Sequence, residues 1–124
     1  MPVSEDLSRV LGPLEAEVMQ VMWSSGERWT VRAMLDRLNE GRRPPLAYTT
    51  VMTVMARLAD KEILRRELNG RGYVYEAAVP DAASIAVRSV VRDFGDAAIA
   101  GFVDEARTDP KLRRRLEQLL RDER

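Results

Sequence analysis

Cysteine and histidine are both absent from this chain of 124 residues. Their absence removes disulfides, thiolate nucleophiles, imidazole bases and the two best zinc ligands together, so most familiar catalytic machinery is excluded. Long apolar runs are missing too. Nothing approaches the roughly eighteen apolar residues of a membrane span, and the acidic opening Met-Pro-Val-Ser-Glu-Asp lacks the apolar stretch of a targeting peptide. The expectation is a cytoplasmic protein with no membrane insertion. Nor is there an excess of either charge: 20 basic residues balance 20 acidic ones, so the total alone predicts no nucleic-acid, membrane or acidic partner. No calcium-loop pattern occurs, and no cofactor or metal is expected.

What the chain does contain is 45% apolar and 32% charged residues, enough for one compact domain or two small ones sharing a core. The distribution of charge is more telling than its sum. Between Arg42 and Arg71 the basic residues Arg42, Arg43, Arg57, Lys61, Arg65, Arg66 and Arg71 face only Asp60, Glu62 and Glu67. A neutral protein thus carries a basic middle.

The strand-like pattern stops near Pro80-Asp81, which divides the chain into residues 1–80 and 81–124. In the first part a helix opens at Pro13, with Leu14, Val18, Val21 and Met22 on one stripe and Met19 and Trp23 beside it, and stops at Ser24-Ser25-Gly26. Arg28-Trp29 reads as a short strand. Thr30 caps a second helix with Val31, Met34, Leu35 and Leu38 on one face, ending at Asn39-Glu40-Gly41. After Pro44-Pro45, Tyr48 to Ala59 is ambiguous by propensity, because Thr and Val are weak helix formers. Its period decides for a helix: Val51, Val54, Met55 and Leu58 fall on one face and Thr49, Thr53, Ala56 and Arg57 opposite. Ile63 to Leu68 and Tyr73 to Ala77 then flank Asn69-Gly70-Arg71-Gly72, a strong hairpin signal. Three helices followed by a hairpin is the order of a winged helix-turn-helix domain, whose third helix enters the major groove.

Beyond Pro80, Ile85, Val90, Val91 and Phe94 mark a helix ending at Gly95, and Ile99, Phe102 and Val103 a further one. Asp109-Pro110 caps a last helix bearing Leu112, Leu116, Leu119 and Leu120. Three short helices bury too little apolar surface alone. Val91, Phe94, Ile99, Phe102, Leu112, Leu116, Leu119 and Leu120 are therefore expected to meet the same segment of a second chain in a two-fold homodimer. The fold class is mainly α with a small β wing.

Thr49, Thr50 and Thr53, with Arg57 one turn on, give the third helix a face of hydroxyls, methyls and a guanidinium, the groups that read base edges in double-stranded DNA. Arg71 in the hairpin turn, and one of Arg65 and Arg66 on its first strand, are placed to hold backbone phosphate. Tyr73 and Tyr75 read as core residues rather than base-stacking platforms. Gly70-Arg71-Gly72 is followed by a strand, so it is no dinucleotide loop. Glu15 with Glu17, and Asp104 with Glu105, read as solvated charges, since such spacings share no helix face.

Leu11-Gly12-x-Leu14-Glu15-x-x-Val18-Met19-x-x-Met22-Trp23, Ala47-Tyr48-Thr49-Thr50-Val51-Met52-Thr53-Val54-Met55-x-Arg57-Leu58 and Gly70-Arg71-x-Tyr73-x-Tyr75 together resemble the penicillinase-repressor family of bacterial winged-helix repressors. The resemblance implies a homodimer on a palindromic operator of beta-lactamase-type or related operons, dimerising through its C-terminal helices. In that family's best-known branch a membrane-bound zinc-protease sensor, or a pathway it triggers, relieves repression by cleavage of an Asn-Phe bond in the fifth helix. The similar position here is Gly101-Phe102, with Gly in place of Asn, so Phe102 is equally readable as an interface residue. The copper-sensing branch uses C-terminal cysteines, which this chain lacks. Two rivals stand beside this reading: a winged-helix module whose basic face binds an acidic protein, and an enzyme using carboxylate or Thr chemistry, which the missing His and Cys disfavour.

Overall fold

In the computed structural model, which describes residues 5–122, seven helices and three strands are found among the described residues. In order they are α1 (Glu5–Val10), α2 (Pro13–Ser25), β1 (Trp29–Thr30), α3 (Val31–Leu38), α4 (Tyr48–Asp60), β2 (Leu64–Asn69), β3 (Gly72–Ala77), α5 (Ala82–Phe94), α6 (Asp96–Thr108) and α7 (Pro110–Asp122). The chain divides into two compact units between Ala86 and Val87, inside α5.

The first unit is a winged helix: α2, α3 and α4, then the β2–β3 hairpin, in the order the sequence predicts. Local chemistry sets the helix ends. Pro13 opens α2, and the Glu15 carboxylate accepts a hydrogen bond from the Gly12 N–H at 3.3 Å. Gly26 closes it at φ 66°, a left-handed conformation that glycine adopts without a Cβ penalty. Thr30 Oγ1 accepts from the Ala33 N–H at 3.1 Å and starts α3. The end of α4 is less obvious from sequence. Ile63 N–H donates to Leu58 C=O at 2.9 Å and Glu62 N–H to Ala59 C=O at 3.0 Å, with Glu62 at φ 63° where glycine is usual.

Helix α1 is a finding the sequence reading missed. It is only six residues long, which is too short for a repeating pattern, yet Leu7 joins the core at 1% exposure and Val10, one turn on, packs partly buried against it. That core gathers Val18, Met19 and Met22 of α2, Met34 and Leu35 of α3, Val51, Met55 and Leu58 of α4, and Leu64 and Tyr75 of the sheet. Ile85 of α5 belongs to it as well.

The sheet runs β1-β3-β2, all antiparallel. Asn69 pairs with Gly72, so the strands run one residue further than the sequence predicts and the turn is Gly70-Arg71 alone. Gly70 takes φ 68°, as a glycine at the first central position of a tight hairpin must. The Trp23 indole N–H donates to Val79 C=O at 2.9 Å and fixes the exit of the wing onto α2.

In the second unit α6 and α7 pack together. The predicted cap is present: Asp109 Oδ1 accepts from the Lys111 and Leu112 amides at 3.1 and 3.2 Å.

The two faces of α4 should respond oppositely to truncation. Met55→Ala empties a fully buried site and is expected to cost about 2–5 kcal/mol in urea denaturation. Met52→Ala, on the exposed face, should stay within about 0.5 kcal/mol of wild type. Equal losses would contradict the orientation of the helix.

Candidate nucleic-acid interface

Helix α4 presents two unlike sides. Val51, Met55 and Leu58 are 0% exposed and Val54 is 9% exposed, so the apolar stripe is sealed against the core. Thr49, Thr50, Thr53 and Arg57 are all exposed. Two residues that the sequence reading left out share this outer side: Tyr48 and Met52, each 42% exposed and one turn apart. Their spacing was the available signal, because at about 100° per residue Met52 falls between Tyr48 and Ala56, away from the stripe. The Arg32 guanidinium of α3 lies 5.2 Å from the centre of the Tyr48 ring, a cation–π contact. No sequence signal foretells it, since it depends on how α3 and α4 cross.

The loop that delivers α4 is held by side chains. Asn39, at the end of α3, uses both ends of its amide on Leu46: Oδ1 accepts from the Leu46 N–H at 2.7 Å and Nδ2 donates to its C=O at 3.2 Å. Arg42 Nε donates to Leu38 C=O at 3.2 Å, and its guanidinium pairs with Glu17 of α2. At the other end, Lys61 Nζ pairs with Glu15 at 3.2 Å. Glu15 and Glu17 are therefore not the solvated charges expected. They do leave α2 in different directions, as their spacing requires, but each meets a cation from the α4 region.

These pairs sort the basic middle of the chain. Arg42 and Lys61 are engaged in the framework, and Arg65 pairs with Glu76 across the hairpin at 3.1 Å. Among the described residues Arg43, Arg57 and Arg71 make no ion pair, and all three are exposed. Arg65 and Arg66 lie on opposite faces of β2, as alternation demands. Arg66 shares its face with Leu64, Leu68, Tyr73 and Tyr75, and its guanidinium stacks on Tyr73 at 4.4 Å. A hydrogen bond with the Tyr75 side chain, before any other cause, raises the Arg66 pKa above its usual value.

Only one of the two wing tyrosines is core. Tyr75 is 2% exposed, whereas Tyr73 is 41% exposed at the overhanging end of the hairpin beside Leu68. The expectation for Tyr73 fails because the wing extends past the helices that cover Tyr75. On α5, α6 and α7, Val91, Phe94, Ile99, Phe102, Leu119 and Leu120 are exposed in the single chain, and Leu112 and Leu116 are half-buried. Gly101 is exposed next to Phe102 on α6.

Comparison with known proteins bears on this arrangement. The family model described as penicillinase repressor matches residues 11–122. Two curated relatives, the transcriptional regulators BlaI of Mycobacterium tuberculosis strains CDC 1551 / Oshkosh and ATCC 25618 / H37Rv, are each 45% identical over 65 residues, covering 52% of this chain and 46% of theirs. The chain thus spans about half the length of the curated relatives it matches. Among solved structures, the complexes of hsRosR-S4 and hsRosR-S1 superpose with TM-scores of 0.52 at 20% and 19% identity. They cover 98% and 96% of this chain and 95% of their own, a likeness of fold. The relatives are regulators, not enzymes, in line with the exclusion drawn from the missing catalytic side chains.

The Asn39 clamp has a direct readout. Asn39→Ala removes both hydrogen bonds to Leu46, so the Leu46 amide should lose its protection in hydrogen exchange and stability should fall by about 1–3 kcal/mol. An unchanged exchange rate would show that the loop is held by something else.

Proposed function

The chain belongs to the penicillinase repressor family, and from that premise we propose that it is a sequence-specific DNA-binding transcriptional repressor acting as a homodimer on a palindromic operator. The observation that carries this reading is the outer side of α4, where Thr49, Thr50, Thr53 and Arg57 stand exposed opposite a sealed apolar stripe. Thr offers a hydroxyl that donates and accepts and a methyl for apolar contact, and Arg can take guanine O6 and N7 or a phosphate. Residues 1–80 supply the reader and residues 81–124 the dimer contacts.

Phosphate is held by the cations that the framework does not consume. Arg71 at the wing tip and Arg43 before α4 make no ion pair and are free to face a polyanion, Arg66 adds an exposed cation held in place by its stack on Tyr73, and Arg65 is tied to Glu76. Ala47 brings no side-chain acceptor to the start of α4, so the positive end of that helix dipole is open to phosphate as well.

The exposed apolar residues of α5–α7 support a dimer, because a monomer rarely leaves so many large apolar side chains in water. Two linked readers separated by one turn of DNA, about 34 Å, bind two half-sites together. Loss of the dimer forfeits an effective-concentration gain of about 10²–10⁴, which is enough for derepression. A cut between Gly101 and Phe102 would split α6 and have that effect without touching α4. The regulated genes in this reading are beta-lactam resistance or related stress operons.

Titrating duplex DNA across a salt series tests the assignment. Arg71→Ala should weaken all sequences alike and flatten the log–log salt slope by about 1, Arg65→Ala should leave the slope near wild type, and Thr53→Ala should relax preference at one base pair by about 1–3 kcal/mol. Binding that ignores salt would point instead to an acidic protein partner.

A further inference from the structure

Among the described residues of the first unit, the large apolar side chains left exposed are Tyr48, Met52, Leu68 and Tyr73. Two lie on the wing; the other two form a strip along the outer side of α4. Exposed apolar surface on a helix that has already buried a complete stripe serves no purpose in the core. The strip has Thr49 and Thr53 along one edge, Arg57 one turn beyond, and Arg32 stacked on its Tyr48 end. Hydroxyls and cations around a small apolar strip suit a surface that is polyanionic overall and apolar at isolated points.

The major groove is such a surface. Its base edges present donors and acceptors, and the one apolar group among them is the C5-methyl of thymine. We propose that Met52, with the Tyr48 ring beside it, is a specificity-determining contact that selects thymine in each half-site by that methyl group, a role that rests on the DNA-reading function proposed above. Methionine fits the task because its unbranched, polarisable side chain adapts to a small apolar target. Arg32 acts on the same contact from behind: stacked on the ring, it limits the orientations of Tyr48 and so holds the strip in place. The hydroxyls of Thr49 and Thr53 then read the hydrogen-bonding groups of neighbouring bases.

The test uses the full chain and duplexes enriched by it from a random-sequence library. Each thymine of an enriched duplex is replaced in turn by deoxyuridine, which deletes the methyl and keeps every hydrogen-bonding group. Binding is followed by fluorescence anisotropy. Wild type should bind about fourfold more weakly when one particular thymine per half-site is changed, the worth of one buried carbon. Met52→Ala, checked by an unchanged melting curve, should bind the thymine and deoxyuridine duplexes equally at that position while keeping its other preferences. If wild type is indifferent to every replacement, or if Met52→Ala keeps the same sensitivity, the role of Met52 is wrong and the DNA-reading function stands. If no sequence is enriched at all, that function falls and this inference with it.

Discussion

The rotation of α4 about its own axis is the constraint on which the rest depends. Val51, Val54, Met55 and Leu58 are buried against the other helices and the sheet, and a turn of the helix by one residue would carry them out of the core and Thr side chains in. Thr and Val are weak helix formers, so α4 exists because its stripe is buried and not because its residues favour a helix. The contacts that stabilise the fold therefore also aim Thr49, Met52 and Thr53 outward. The buried stripe and the proposed reading surface lie on opposite sides of the same thirteen residues.

Electrostatics divides the same way. The chain is neutral in total, yet its charges are not spread evenly between scaffold and outer surface. Helix α2 sends Glu15 to Lys61 at the end of α4 and Glu17 to Arg42 in the loop before it, so both approaches to α4 are tied to one neighbour. Such half-exposed pairs are worth only about 0–1 kcal/mol each. Their effect is to fix geometry and to consume acidic groups, which leaves Arg43, Arg57 and Arg71 uncompensated around α4 and the wing. A net charge of zero thus conceals unpaired cations around α4 and the wing.

The features legible in the sequence were those with a local, repeating physical cause. The period of α4, the Thr30 and Asp109 caps and the hairpin between Leu64 and Ala77 all follow from residue spacing or from a single side chain meeting nearby amides. The exposed threonines followed from the same period. What stayed hidden needed the tertiary arrangement. The Arg32–Tyr48 and Arg66–Tyr73 stacks, the Asn39 clamp on Leu46 and the two carboxylate pairs of α2 join residues whose meeting no local pattern encodes. Helix α1 is six residues long, too short for its two apolar residues, Leu7 and Val10, to make a repeating pattern, and the left-handed stop after α4 falls on Glu62, where no glycine announces it. Tyr73 and Tyr75 look alike in sequence, and only the length of the wing relative to the helices beneath separates the exposed ring from the buried one.

In the proposed function the threonine side of α4 lies in the major groove at two sites in one dimer. Dimethyl sulfate footprinting tests it most directly, because the reagent methylates guanine N7 in the major groove and adenine N3 in the minor. Guanine N7 should be protected in two patches about 10–10.5 base pairs apart, or a multiple of that spacing, with phosphate contacts flanking them. Protection confined to adenine N3, or none on any enriched duplex, would contradict it.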